Sequence, residues 1–232
     1  MNLFYQPLIQ EGVTHLDSEE SKHCVRVLRK SKGDTIRVTD GKGFFYDAII
    51  TTPDAHQCGF EITTTIPSLT KNFSIHLAIS PTKNADRIEW FVEKAVEIGV
   101  DKISFIQCKN TERPYVKLDR MEKVCVSAMK QSIKSQIPEL QGIVSISDVI
   151  NTASEHQKFI AFVDHANPDN LKDIVDKNTS YLILIGPEGD FTKEELALAM
   201  QKGFRKVSLG NSRLRTETAG IAACHIFNLV NS

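Results

Sequence analysis

The sequence predicts an α/β fold with a parallel sheet, preceded by a small β-barrel domain. Two observations predict it. From residue 73 onward, short apolar runs alternate with helical patterns, the rhythm of a parallel sheet covered by helices on both faces. Before residue 70 the chain is β-rich, with an apolar set too small for an open sheet, so a compact barrel is expected. The polar break Pro67-Ser-Leu-Thr-Lys-Asn72 separates the two, giving domains at 1–70 and 73–232.

In the first domain, Asp17 followed by Glu20 is a capping-box pattern and predicts a short helix. Thr35 to Thr39 alternates, Asp40-Gly-Lys-Gly43 supplies a turn, and Phe44 to Thr51 returns as a strand. Gly59 to Ile66 is a further β-rich run. Lys22, His23, Arg26, Arg29, Lys30 and Lys32 form a basic segment. It is either a solvated charged face or a patch contacting nucleic-acid phosphates, where each lysine or arginine releases counterion.

The second domain opens with a strand at Ser74 to Ile79. Asp86, with Glu89 completing a box, is read as the cap of a helix whose apolar face is Ile88, Phe91, Val92, Ala95, Val96 and Ile98, ended by Gly99. Lys102 to Ile106 is a strand, and a long helix from about Leu118 to Gln136 precedes Pro138. Phe159 to Val163 is a strand, and Leu171 to Val175 is part of a helix. The C-terminal end reads as two strand–loop–helix units. Tyr181 to Ile185 is apolar enough for a buried parallel strand, and Gly186-Pro-Glu-Gly189 breaks it. Thr192 with Glu195 forms a capping box, with Phe191 and Leu196 at the staple positions. That helix runs to about Lys202, with Gly203 after it. Lys206 to Leu209 is the next strand, Gly210 breaks it, and Asn211 to Arg215 is a loop. Thr216 is read as the cap of the last helix, which runs through Phe227.

Two glycine-bearing loops at the carboxyl ends of neighbouring strands mark the usual ligand position of an open α/β sheet. Glycine lets backbone approach a ligand. Neither GxGxxG nor GxxxxGK[ST] occurs, so the expected ligand is nucleoside-like, held by main-chain groups, and not a triphosphate. Taken singly, each loop is equally an ordinary strand–helix turn.

Composition excludes more than it assigns. With 41% hydrophobic and 25% charged residues in 232, a sizeable core is available. The formal net charge of −1 does not advertise nucleic-acid binding, so any such surface comes from local clustering. Cys24, Cys58, Cys108, Cys125 and Cys224 are scattered without a CxxC pair, which argues against zinc and suits reduced thiols in the cytoplasm. The N-terminal residues lack a signal-peptide pattern, and no apolar stretch is long enough to span a membrane.

Ile185-Gly-Pro-Glu-Gly-Asp-Phe-Thr192 with Glu195, then Leu209-Gly210 and Leu214-Arg-Thr-Glu-Thr-Ala219, resembles the RsmE family. Its members are S-adenosylmethionine-dependent methyltransferases that modify N3 of a uridine in small-subunit ribosomal RNA and belong to the knotted SPOUT superfamily. His23 to Arg29, Gly33-Asp34 and Asp40-Gly41 resemble that family's PUA-like RNA-binding barrel, and Lys83, Asp86-Arg87, Glu89-Trp90, Val92, Lys94-Ala95, Glu97 to Val100, Glu112-Arg113 and Gln131-Ser132 with Pro138 also match.

The resemblance implies a C-terminal trefoil knot, a homodimer, a small-ribosomal-subunit partner and no metal. It implies a cofactor lying across three loops, with Val163, His165, Ile185, Gly186, Pro187, Glu188, Gly189, Leu209, Gly210, Leu214, Thr218 and Ala219 at the site. It also implies RNA contacts from Arg26, Arg29, Lys30, Lys83, Arg87 and Arg113. Arg215 and Glu217 are the catalytic candidates. Uridine N3 is protonated at neutral pH, so methylation needs a proton acceptor, or donors that stabilise the developing oxyanion, or both. Arg215 suits the second need; Glu217 either orients Arg215 or accepts the proton. The chain departs from the family in having Asp190 where glycine is usual, and Ser212-Arg213 where the arginine comes one place earlier. The rival readings are a SPOUT methyltransferase for another RNA or atom, and a non-catalytic RNA-binding assembly protein.

Overall fold

The computed structural model describes residues 2–163 and 169–232. The chain forms two units, one of Met1–Thr70 with Val126–Ile137 and one of Lys71–Cys125 with Pro138–Ser232.

The first unit is built on β1 (Leu3–Tyr5), β2 (Thr35–Thr39), β3 (Phe44–Thr52) and β4 (Gly59–Pro67), hydrogen-bonded in that order. β1 runs parallel to β2, the other pairs are antiparallel, and a bridge joins His15 to Gly59. Gly41 and Gly43 adopt φ of 75° and 100°, so the β2–β3 turn requires glycine. Phe4, Leu16, Cys24, Val38, Ala48, Ile50 and Phe60 share one core. The helix α1 (Ser18–Lys22) is capped by Asp17, whose side chain accepts from the Glu20 amide at 2.8 Å. The expected reciprocal bond is replaced, because the Glu20 carboxylate pairs with Lys130. A π-helical turn over His23–Val27 continues α1. Residues 126–137 join this unit through backbone: the Ser135 carbonyl accepts from Gly43 N and from Thr39 Oγ1, and Gly41 accepts from Ile137 N. A single cut at residue 70 leaves that segment out.

The second unit holds β5 (Ser74–Ile79), β6 (Lys102–Gln107), β7 (Glu139–Ser145), β8 (Gln157–Ala161), β9 (Ser180–Ile185) and β10 (Arg205–Val207). All are parallel, in the order β10-β8-β9-β5-β6-β7. The two C-terminal strands read as neighbours are therefore separated by β8. Its helices are α2 (Ala85–Ile98), α4 (Ile146–Thr152), α5 (Leu171–Ile174), α6 (Lys193–Gln201) and α7 (Thr216–Val230), together with the start of α3 (Leu118–Gln131). The sequence reading missed β7 and α4, since Glu139-Leu-Gln-Gly-Ile-Val-Ser145 is a partly exposed edge strand without strict alternation.

Helix ends correct three further expectations. α2 is capped by Asn84, whose side chain accepts from the Asp86 amide, while Glu89 pairs with Arg120 at 2.6 Å. α3 ends at Gln131, short of Gln136, and Ile133 takes φ 52° just beyond it. Arg215, not Thr216, is the N-cap of α7; the Thr216 hydroxyl donates to the Gly186 carbonyl at 3.0 Å. The α6 capping box of Thr192 and Glu195 is complete.

Successive residues of β9 point to opposite faces. Leu182 and Leu184 join Ile146, Val149, Ile150, Phe191, Ala199 and Phe204 on the α4–α6 side. Tyr181 stacks on Phe227 of α7, centroids 4.6 Å apart, on the other side. There α7 packs on β5 and β9 and against α2. Gly220 makes the contact close: a Cβ there would lie 2.5 Å from the Phe91 ring and 3.0 Å from Ile79.

Overpacking of this kind costs about 1–3 kcal/mol, whereas alanine gains about 1 kcal/mol over glycine in helix propensity. Gly220→Val is therefore the sharper variant. It should lower the thermal unfolding midpoint, and Phe91→Leu in the same chain should recover part of the loss. An unchanged midpoint would show that α2 and α7 have room to spare.

Candidate active site

β10, β8 and β9 are adjacent and parallel, so their carboxyl ends lie side by side. Polar side chains hold the loop after β9. Asp190 accepts from the Phe191 amide at 2.8 Å and from the Val163 amide at 3.3 Å, joining the loops after β9 and β8. Asp190 takes φ 60°, which explains why glycine serves well at this position. Burial pushes its carboxyl above the ordinary carboxylate range, opposed by the two amides and by the charge of Arg213. Asn110, after β6, donates to the carbonyls of Gly189 and Asp190 at 3.1 and 3.0 Å. The Lys109 amide donates to Glu195 at 2.8 Å. Asn110 escaped the sequence reading because a lone asparagine after a strand belongs to no motif.

The proposed cofactor residues fall along these loops. Ile185 and Pro187 are buried, Gly186 is half-buried, and Glu188 and Gly189 are exposed. The space beside Gly186 is taken by protein: a Cβ there would lie 3.1 Å from the Phe191 ring. Gly210 differs, with φ 131° and nothing within 4 Å of the space a Cβ would fill. Leu209 and Leu214 are half-buried, Val163 and Thr218 exposed, and the Ala219 amide donates to the Arg215 carbonyl at 2.8 Å. Main-chain groups, two apolar side chains and an open glycine fit a nucleoside cofactor. His165 lies outside the described residues.

Beside these loops is a cavity of about 590 Å³ lined by Asp86, Arg87, Trp90, Arg213, Leu214, Arg215, Glu217 and Thr218. Glu217, 6% exposed, has Arg87 as its partner at 3.8 Å, where the sequence reading had Arg215. Among the described residues, the Arg215 guanidinium makes no hydrogen bond or ion pair. Arg87 also lines a second cavity of about 610 Å³ with Lys83, Asn84, Ala85, Glu112, Arg113 and Glu188. There Lys83 pairs with Glu112 at 3.1 Å, and its amide donates to Glu188 at 3.3 Å. The fold thus gathers Lys83, Arg87 and Arg113 in one place. In the first unit, Arg26 and Arg29 are exposed, Arg29 takes φ 55°, and Lys30 donates to the Thr35 carbonyl at 3.2 Å. Among the described residues no group of three or more metal-ligating side chains converges, and no helix is long and apolar enough to cross a membrane.

Comparison with known proteins defines the class. Residues 69–228 match the RNA methyltransferase domain family and residues 16–63 match the RNA methyltransferase PUA domain. A crystal structure described as a probable rRNA-methyltransferase from Porphyromonas gingivalis is 42% identical, with a TM-score of 0.93, covering 100% of this chain and 98% of that one. The ribosomal RNA small subunit methyltransferase E of Neisseria gonorrhoeae, crystallised with S-adenosyl methionine, is 28% identical with a TM-score of 0.85 over 100% and 98% of the two chains. The protein of the same name from Mesomycoplasma hyopneumoniae is 36% identical over 151 residues, 62% of this chain and 64% of that one. The chain belongs to the RNA methyltransferase family typified by ribosomal RNA small subunit methyltransferase E.

Asp190 makes a prediction in pH. A carboxyl whose folded value is raised adds stability below its unfolded value, about pH 4, and loses it as pH climbs through the raised value. Asp190→Gly abolishes that loss and accepts φ 60° without strain. In urea unfolding, the stability of Asp190→Gly relative to wild type should increase as pH rises from about 4 toward neutrality. A difference that stays flat or shrinks would mean that burial does not dominate at this carboxyl.

Proposed function

We propose that this chain methylates N3 of a uridine in small-subunit ribosomal RNA, using S-adenosylmethionine. The observation that carries the reading is Arg215, whose guanidinium has no partner among the described residues, in a cavity beside strand-end loops whose described residues fit a nucleoside. The family and the relatives named for small-subunit rRNA methylation support the substrate, and the cofactor-bound Neisseria structure supports the cofactor. When bound, S-adenosylmethionine supplies an electrophilic methyl group on a cationic sulfur.

The protein residues have the remaining work. Loops 185–190 and 209–214, with Val163, hold the cofactor through main-chain groups. Arg215 donates to a uracil carbonyl as N3 loses its proton, and its planar fork matches that charge in a way an ammonium does not. Glu217, buried and paired with Arg87, orients that guanidinium or accepts the proton. Lys83, Arg87 and Arg113 meet the RNA backbone from the second unit, and Arg26, Arg29 and Lys30 from the first. The reading includes the C-terminal trefoil knot, a homodimer and a cytoplasmic setting on the small ribosomal subunit.

Losing one oxyanion donor costs roughly 2.7–4 kcal/mol, on the order of a hundred- to a thousandfold in rate. Arg215→Lys and Arg215→Ala should each lower single-turnover transfer by that order at saturating RNA, with cofactor affinity little changed. Raising pH should partly rescue both, since more uridine is then ionised. Full recovery at saturating RNA would make Arg215 a docking residue.

In the first unit, combined Arg26→Ala, Arg29→Asn and Lys30→Ala should weaken RNA binding and flatten its salt dependence. Asparagine is chosen because it tolerates positive φ. Equal affinity at every salt concentration would return the segment to a solvated face.

A further inference from the structure

We infer that the exposed indole of Trp90 is the face on which the substrate pyrimidine stacks, an inference that rests on the proposed RNA substrate. Trp90 sits on α2 one turn beyond Asp86 and Arg87, so all three share a side of the helix and one cavity wall. It is 44% exposed, while its neighbours Phe91 and Val92 are buried in the core. Among the described residues no ring or cation stacks on it: the cation–ring contacts are those of Arg37, Lys71 and Lys158, and the ring pairs involve other residues. A large flat apolar surface is thus left open beside Arg87, Arg213 and Arg215.

That combination selects its ligand. Arg213 and Arg215, with no ion-pair partner among the described residues, call for an anion, and an uncovered indole calls for a flat ring. Unstacked RNA bases bind proteins through this pairing of backbone charge with aromatic stacking. A second copy of the chain suits the wall less well. Besides Trp90 the cavity's only aliphatic lining residue is Leu214, amid Asp86, Arg87, Arg213, Arg215 and Glu217, whereas the centre of a protein interface is depleted of charge. The ring that must lie near Arg215 is the pyrimidine whose carbonyl Arg215 contacts, so the indole faces that base. Trp90 then orients N3 as well as binding it.

The sequence holds one tryptophan, so intrinsic emission reports on this site alone. The full chain is titrated with short oligouridylate and with an abasic ribose-phosphate oligomer of equal charge. Oligouridylate should quench the emission and the abasic oligomer should not. Trp90→Ala should lower kcat/KM for methyl transfer to small-subunit rRNA by about 5- to 150-fold, with S-adenosylmethionine affinity unchanged, and Trp90→Phe should restore most of it. Equal quenching by both oligomers, or full activity in Trp90→Ala, overturns the inference. So does an emission blind to both oligomers together with a dimer that Trp90→Glu dissociates in ultracentrifugation, since the indole then contacts a second copy. If oligouridylate quenches selectively while wild type transfers no methyl to rRNA, the stacking face stands and the methyl-transfer reading fails.

Discussion

The closeness of α7 to α2 is the constraint on which the candidate site depends. Gly220 removes the one Cβ that would collide with Phe91, so the last helix settles onto β5, β9 and α2. That contact sets where α7 begins. Its N-cap, Arg215, and its first-turn Glu217 then fall opposite Arg87 and Trp90 of α2. A glycine that does not itself line the cavity thereby determines which side chains meet inside it. The Thr216 hydroxyl fixes the same helix start from the other direction, by its bond to Gly186 at the end of β9.

The strand-end loops are held by a different logic. Loops carry function when a rigid scaffold positions them, and here the scaffold reaches them through polar side chains. Asn110 takes two carbonyls, Asp190 takes two amides, and Glu195 both closes the α6 capping box and binds the Lys109 amide. The space beside Gly210 stays clear, while its own amide and carbonyl are both bonded to the Ser208 hydroxyl. Asp190 therefore acts as a tether between loops. Burial raises its pKa, opposed by the two amides and by Arg213.

Much of this was legible in the sequence where a single local pattern decides the outcome. The apolar run at Tyr181, the Thr192–Glu195 box and Gly99 each have a physical signature within a few residues, and each behaves accordingly. The site loops were legible through glycine and through resemblance. What escaped depends on pairs distant in sequence. The insertion of β8 between β9 and β10 is a matter of topology, which strand patterns do not encode. The partner of Glu217 is Arg87, separated from it by more than half the chain, whereas Arg215 is its near neighbour in sequence. Segment 126–137 belongs to the first unit through backbone bonds that no side-chain pattern announces.

The distribution of charge follows from the same pairings. With a formal net charge of −1, the chain has no global field to draw RNA, so local imbalance must supply attraction. Around the two cavities two basic groups already have acidic company: Lys83 with Glu112 and Arg87 with Glu217. A paired guanidinium has spent part of its attraction before a ligand arrives, and surface pairs of this kind contribute little to stability. Their consequence is positional, because each pair holds a basic group at the cavity edge. Arg215 stands apart from them. With no acidic partner among the described residues, it keeps its full donor set for charge that develops on a ligand. Differential binding requires a group that gains more from the transition state than from the ground state. In a cavity where Arg87 is already engaged by Glu217, Arg215 at the start of α7 has that gain still available.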